Sequence, residues 1–166
     1  LLLKAEEKSI DVHVDVPDTL PKIMADRRSV NQILINLMSN AVKFTPPGGF
    51  ISISAARDPQ GTLTVAIRDN GPGIPAHEIQ MALGAFSRGS LATKKAIDGA
   101  GLGLPIAKGL MEVHGGSLSI RSAAGAGTEV AITFPAGRVL DGPRGKVLSA
   151  PSVASESQRK LIAITG

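Results

Sequence analysis

Val30-Asn31-Gln32-Ile33-Leu34-Ile35-Asn36-Leu37-Met38-Ser39-Asn40-Ala41-Val42-Lys43-Phe44 decides how this chain is organised. Apolar side chains fill most of the stretch, at Val30, Ile33, Leu34, Ile35, Leu37, Met38, Ala41, Val42 and Phe44. Gln32, Asn36, Asn40 and Lys43 interrupt them at helical intervals and fall on one narrow face. A helix apolar nearly all round is expected to be buried on most sides. A buried amide or ammonium without a partner costs on the order of a few kcal/mol. The polar seam is therefore expected to face a polar cavity.

Outward from this helix the pattern alternates between strands and helices. Leu1 to Lys8 reads as the end of a helix, and the start without Met reads as a piece of a longer chain. Ile10, Val12, Val14 and Val16 alternate with Asp11, His13 and Asp15, which predicts a half-buried strand. Pro17 and Pro21 bracket a loop, Asp26 caps the seam helix, and Pro46-Pro47-Gly48-Gly49 ends it. Phe50, Ile51 and Ile53 begin a second strand, and the turn Asp58-Pro59-Gln60-Gly61 folds it back on a third at 63–69. Leu63, Val65 and Ile67 share one face of that strand, and the same alternation puts Asp69 on the core side. A short helix is predicted at 76–83, a mobile loop at 84–100, a helix at 103–114, and two closing strands at 117–122 and 128–134. Gly, Pro, Ser and charged residues dominate 136–160, so 137–166 is expected to be a flexible linker or tail after a domain at 1–136.

The composition excludes several classes. The chain has 166 residues, enough for one domain with a real core. It has no Cys, and its 3 His are scattered, so neither a disulfide framework nor a zinc cluster is expected. No segment is long and apolar enough for a membrane span and no signal peptide is visible, which fits a cytoplasmic domain with no direct membrane contact. The net charge of +4 comes without Trp or Tyr to stack on bases, so nucleic-acid binding is not expected. A cavity for a polyanion needs positive charge equally well.

Three constellations carry chemistry. Asp69-Asn70-Gly71-Pro72-Gly73-Ile74 could be no more than a turn after a strand. A core-facing carboxylate must accept hydrogen bonds or take up a proton, however. An adenine amino group is a suitable donor, and the glycines let a flat base approach the backbone. Gly99-Ala100-Gly101-Leu102-Gly103-Leu104 ends the predicted loop and opens a helix, whose free N–H groups and dipole favour phosphate. It lacks the Lys-Ser/Thr of a Walker loop. In Asn36, Asn40 and Lys43, the amides offer an oxygen ligand for Mg²⁺, which takes few protein oxygens beside phosphate and water, and Lys43 offers a cation for phosphate. Arg88, two residues after Phe86, is placed to stabilise charge during phosphoryl transfer. Lys94 and Lys95 read as a solvated loop, and His13, His77 and His114 are not expected to accept phosphate.

Together these segments resemble the catalytic and ATP-binding domain of a bacterial sensor histidine kinase. Asn36 to Thr45 resembles that family's asparagine box, Asp69 to Ile74 and Gly99 to Leu104 its two glycine boxes, Phe86-Ser87-Arg88 its phenylalanine box, and Gly125-Ala126-Gly127-Thr128 its final glycine motif. The similarity runs from about Leu1 to Pro135, and the stretch Gly84 to Gly109 looks most like alphaproteobacterial kinases of the PleC and DivJ type. The resemblance implies an α/β fold, a two-layer sandwich with helices on one face of a mixed, roughly five-stranded sheet, of the Bergerat type that binds ATP. It assigns Asn40 to Mg²⁺, Asn36 and Lys43 to the phosphate region, and Phe44 to the edge of the base. Asp69 would bind the adenine amino group together with Thr128, with Gly71, Gly73 and Ile74 lining the base. Phe86, Gly99, Gly101, Leu102, Gly103 and Leu104 would belong to the lid and its phosphate anchor. Phe44 stands where Tyr is frequent and Ala100 where Thr is frequent; neither argues for an inactive domain.

The same superfamily contains ATP hydrolases, which carry a water-activating Glu four residues before the magnesium Asn. Here that position is Asn36, and an amide is no general base. The resemblance thus implies transfer of the γ-phosphoryl group to a His on a separate dimerisation domain, with a response regulator further downstream. A non-catalytic nucleotide-binding module is the alternative from a different class.

Overall fold

The computed structural model describes residues 1–83 and 102–140. Phe86, Arg88, Gly99, Gly101 and the expected loop at 84–100 lie outside the described residues, as does the tail from residue 141.

Caps at both ends define the long helix α2 (Arg27–Phe44), which follows α1 (Leu2–Glu7), β1 (Asp11–Asp15) and the short β2 (Lys22–Ile23). Asp26 is extended, and its Oδ2 accepts from the Ser29 N–H at 2.8 Å and the Ser29 hydroxyl at 2.7 Å. Those Ser29 bonds hold the Asp26 carboxyl below its usual range. At the far end Thr45 donates its hydroxyl to the Ala41 carbonyl at 2.7 Å. The Lys8 ammonium donates to the carbonyls of Val42, Lys43 and Thr45 at 2.8, 3.0 and 2.9 Å. A cation placed there satisfies carbonyls that no helical N–H can reach and opposes the negative end of the helix dipole.

The remaining elements are β3 (Phe50–Arg57), β4 (Leu63–Asp69), α3 (Ala76–Ala82), α4 (Gly103–Val113), β5 (Ser117–Ser122), β6 (Thr128–Phe134) and β7 (Val139–Leu140). Five strands form one mixed sheet in the order β1-β3-β4-β6-β5, in which only the β1–β3 pair is parallel. Alternation sends Ile51, Ile53 and Ala55, Leu63, Val65 and Ile67, and Val130, Ile132 and Phe134 to one face, where they are buried. Ala5, the apolar side of α2, and Ala107 and Met111 of α4 pack on the same cluster, so the helices cover one face only. The opposite face carries Ser52, Ser54, Thr64, Arg68 and Thr133 in half-exposed or exposed positions. This is the expected sandwich.

Two expectations need correction. Helix α2 is not buried on most sides: Ile35 is 50% exposed, because the helix lies on the sheet and against α4 and leaves its outer face free. The expected boundary at 136 also falls short. Residues Ala136–Arg138 form a 3₁₀ turn, β7 pairs antiparallel with β2, and Val139 joins the core.

Candidate functional site

The site begins with a row of side chains across the sheet. Asp69 stands opposite Ile51 on one side and Thr128 on the other, and Ser122 stands opposite Thr128. Residues directly opposite in register point to the same face, so Asp69, Thr128 and Ser122 line up beneath the helices at one end of the sheet. Asp69 is only 7% exposed. Burial pushes its carboxyl up from the ordinary carboxylate value, and backbone N–H donors from Gly71 and Thr128 partly counter that; the Gly71 bond is 2.8 Å.

Backbone segments pack tightly around this carboxylate. Gly73 (φ +70°) and Gly127 (φ +81°) hold left-handed conformations that side chains rarely adopt. A Cβ at Gly73 would collide with the Ala123 carbonyl oxygen, and one at Gly127 with the Asp69 carbonyl oxygen. A Cβ at Gly71 would sit 2.8 Å from Asp69 Oδ1 and 2.9 Å from the Phe44 carbonyl oxygen. Gly71 thus joins the carboxylate to the last turn of α2. The glycines of this segment answer to contacts with the protein's own backbone, whatever they do for a ligand. Ile74 is half-buried and its N–H donates to the Ser122 hydroxyl at 2.7 Å.

The other end of the site lies further up α2. A Cβ at Gly103 would be 3.6 Å from Asn40 Nδ2 and 3.7 Å from Asn36 Cβ, so the start of α4 sits on the seam. Leu102, at the N-cap of α4, makes no side-chain capping bond, and Leu102 and Leu104 are half-buried beside it. The eight steps from Asn36 to Phe44 rise about 12 Å along the axis, the scale of a nucleotide. Gln32 donates to Asn36 Oδ1 at 2.9 Å, while Asn36 Nδ2 is buried with no partner among the described residues. Lys43 places its ammonium 5.3 Å from the centroid of the Phe44 ring. The structure therefore brings Asn36, Asn40, Gly103 and Leu104 to one end, and Phe44, Asp69, Gly71, Gly73, Ile74 and Thr128 to the other. Lys43 leans toward Phe44 at the second end.

The histidines are placed elsewhere. His13 pairs with Asp11 at 2.8 Å on an exposed edge strand, and His77 lies 3.7 Å from Glu78. His114 is buried; its Nδ1 donates to the Leu110 carbonyl at 2.7 Å and its Nε2 accepts the Asp26 N–H at 3.1 Å. Both bonds together put the ring proton on Nδ1 and leave Nε2 as the acceptor. Sequence reasoning missed Ser122, Lys8 and this role of His114, because each depends on at least one partner distant in the chain.

The family described as histidine kinase-, DNA gyrase B- and HSP90-like ATPases matches residues 25–138, from the α2 cap to the end of the 3₁₀ turn. The chain belongs to this family. Within it, this is the catalytic domain of a histidine kinase. It is 41% identical over 132 residues to an uncharacterized sensor-like histidine kinase of Rhizobium meliloti, across 80% of this chain and 25% of that protein. It is 37% identical to the cell-division control histidine kinase PdhS of Brucella abortus, across 82% of this chain and 14% of that protein. The chain thus spans a quarter or less of these curated relatives. Among solved structures, the mycobacterial sensor histidine kinase MprB matches with a TM-score of 0.67 and 30% identity, covering 79% of this chain and 85% of that one. Full-length ShkA in complex with AMPPNP matches with a TM-score of 0.69 and 33% identity, covering 80% of this chain and 27% of that one. The kinase domain's fold and its ATPase-type nucleotide site follow from this membership.

Proposed function

We propose that this domain binds Mg-ATP between α2 and the start of α4 and donates the γ-phosphoryl group to a histidine of a dimerisation domain in the same protein. The observation that carries the reading is the pairing of two unlike ends along one helix. A buried carboxylate lies at the last turn of α2, and a buried, partnerless amide N–H faces the start of α4 some two turns earlier. The first suits an exocyclic amino group and the second a phosphate oxygen. The AMPPNP complex of the similar ShkA chain supports the same occupant.

The residues fit magnesium in kind. Asn40, whose side-chain amide lies beside Gly103, has a hard oxygen to offer, and Mg²⁺ is commonly held by one or two protein oxygens plus phosphates and water. When bound, the ion would neutralise charge on the phosphates. The protein's own part is to position the substrate. Asp69 takes the base, and the uncapped N–H groups opening α4 take phosphate. Asn36 donates to a phosphate oxygen, and Lys43 supplies positive charge at the end of α2. Arg88 is proposed to stabilise charge on the transferring group. In the transfer, an imidazole nitrogen of the acceptor bonds to the γ-phosphorus while the bond to the bridging oxygen breaks. ADP leaves, and the imidazole proton passes to solvent. With Asn36 where a hydrolase carries Glu, no general base holds a water at that point.

A response regulator would then receive the phosphoryl group, and a cytoplasmic setting follows from the need for ATP. Among the described residues no helix is long and apolar enough to cross a membrane. The test is calorimetric titration of ATP with and without Mg²⁺, followed by addition of a helix pair carrying an acceptor histidine from a similar kinase. Label passing to the histidine is the expected result. Binding without transfer would favour the regulatory module, and phosphate release without an acceptor would favour the hydrolase.

A further inference from the structure

Ser122 ends the row that runs from Asp69 through Thr128, and its hydroxyl makes three hydrogen bonds. It accepts the Ile74 N–H at 2.7 Å, donates to the Gly127 carbonyl at 2.7 Å, and lies 3.0 Å from the Thr128 hydroxyl oxygen. A hydroxyl has one proton to give and two lone pairs. The Gly127 carbonyl can only accept, so it takes the Ser122 proton. The Ile74 N–H can only donate, so it takes one lone pair. The third bond must then run from the Thr128 hydroxyl to the remaining lone pair of Ser122. The Thr128 proton is thereby turned along the row toward Ser122 and away from Asp69, and Thr128 offers the Asp69 side only lone pairs.

We infer that Ser122 is a positioning residue that sets the direction of the Thr128 hydroxyl and so makes this end of the cleft a floor of acceptors only. The inference rests on the reading of the cleft as an adenine-nucleotide site. Asp69 and Thr128 then both accept, and neither can donate to a base. A purine with an amino group at position 6 brings two protons to them; a purine with a carbonyl there sets lone pair against lone pair at that position and keeps only the N1–H as a donor beside it. A site built around particular hydrogen bonds rejects the ligand that leaves its buried polar groups unpaired. Ser122 thus acts on base selection without touching the base. By accepting the Ile74 N–H, it also ties the first glycine segment to the same node.

The experiment compares ATP with inosine triphosphate, which carries a carbonyl at position 6, by calorimetric titration of the 166-residue chain. Ser122→Ala frees the Thr128 hydroxyl to rotate and donate. The expected result is that the ratio of ATP to inosine triphosphate affinity narrows by about tenfold, the worth of one hydrogen bond of discrimination. Ser122→Thr keeps the hydroxyl and is expected to keep the wild-type ratio. Ser122→Cys holds hydrogen bonds only weakly and is expected to narrow the ratio, which covers the case in which alanine unfolds the domain. A merely structural Ser122 would weaken both nucleotides alike and leave the ratio unchanged, and that result overturns the inference. Wild-type protein that fails to bind ATP, or fails to prefer it, overturns the adenine reading itself and this inference with it.

Discussion

Asp69 is held at a cost that its ligand can repay. Its carboxyl is buried, with a backbone N–H at 2.8 Å and a pKa raised above its ordinary 3.8. Asp69→Asn is expected to weaken ATP binding at least tenfold, about 1.4 kcal/mol for a lost charged hydrogen bond, as read by calorimetry. The same variant makes a pH prediction. A carboxyl whose pKa is higher folded than unfolded holds its proton more tightly in the folded state. Its stabilising effect is therefore fully present below the unfolded value and is lost as pH rises through the folded one. Relative to Asp69→Asn, the wild-type domain without nucleotide should lose stability between acidic and neutral pH, which urea unfolding at several pH values measures. At Asn40, replacement by Asp is expected to abolish magnesium-dependent transfer while circular dichroism stays unchanged. The core-side placement of Asp69 was legible in the alternation of Leu63, Val65 and Ile67. The proton arrangement at Ser122 was not, because it depends on β5 and β6 lying in a register that no local pattern encodes.

Elements were read best where a period runs long enough to be seen. Helix α2 has such a period, a capping Asp and a terminating Pro-Pro, and its bounds came close to the expected ones. Strands β2 and β7 have two residues each and no period at all, and they exist through pairing with each other. The clasp that His114 makes was equally invisible, since it needs the N-cap of α2 beside the last turn of α4. Lys8 belongs at this scale too. Its ammonium serves three carbonyls near the end of α2, so Lys8→Met strands them. The expected loss is about 1–3 kcal/mol in urea unfolding, with Lys8→Arg losing less.

At the scale of the whole molecule, the mixed, roughly five-stranded sheet and the one-sided helix layer followed from the family resemblance, while the strand order and the closing β2–β7 pair had to be seen. Removing residues 136–166 takes away Val139, which is buried in the core, and uncovers its neighbours. Burial of such a side chain is worth about 1.5–3 kcal/mol, so the truncated domain should melt some 3–10 °C lower in calorimetry. The fold keeps the two ends of the proposed site along a single helix and anchors that helix at both tips to chain that comes from elsewhere. His114 clasps one tip and Lys8 the other. The consequence is mechanical. A tug on the segment leading into Lys8 would reach the turn that carries Phe44 and abuts Gly71 by two routes, the Lys8 ammonium and the Lys8 carbonyl that accepts the Gly48 N–H, so strain entering there would arrive where the proposed purine would lie.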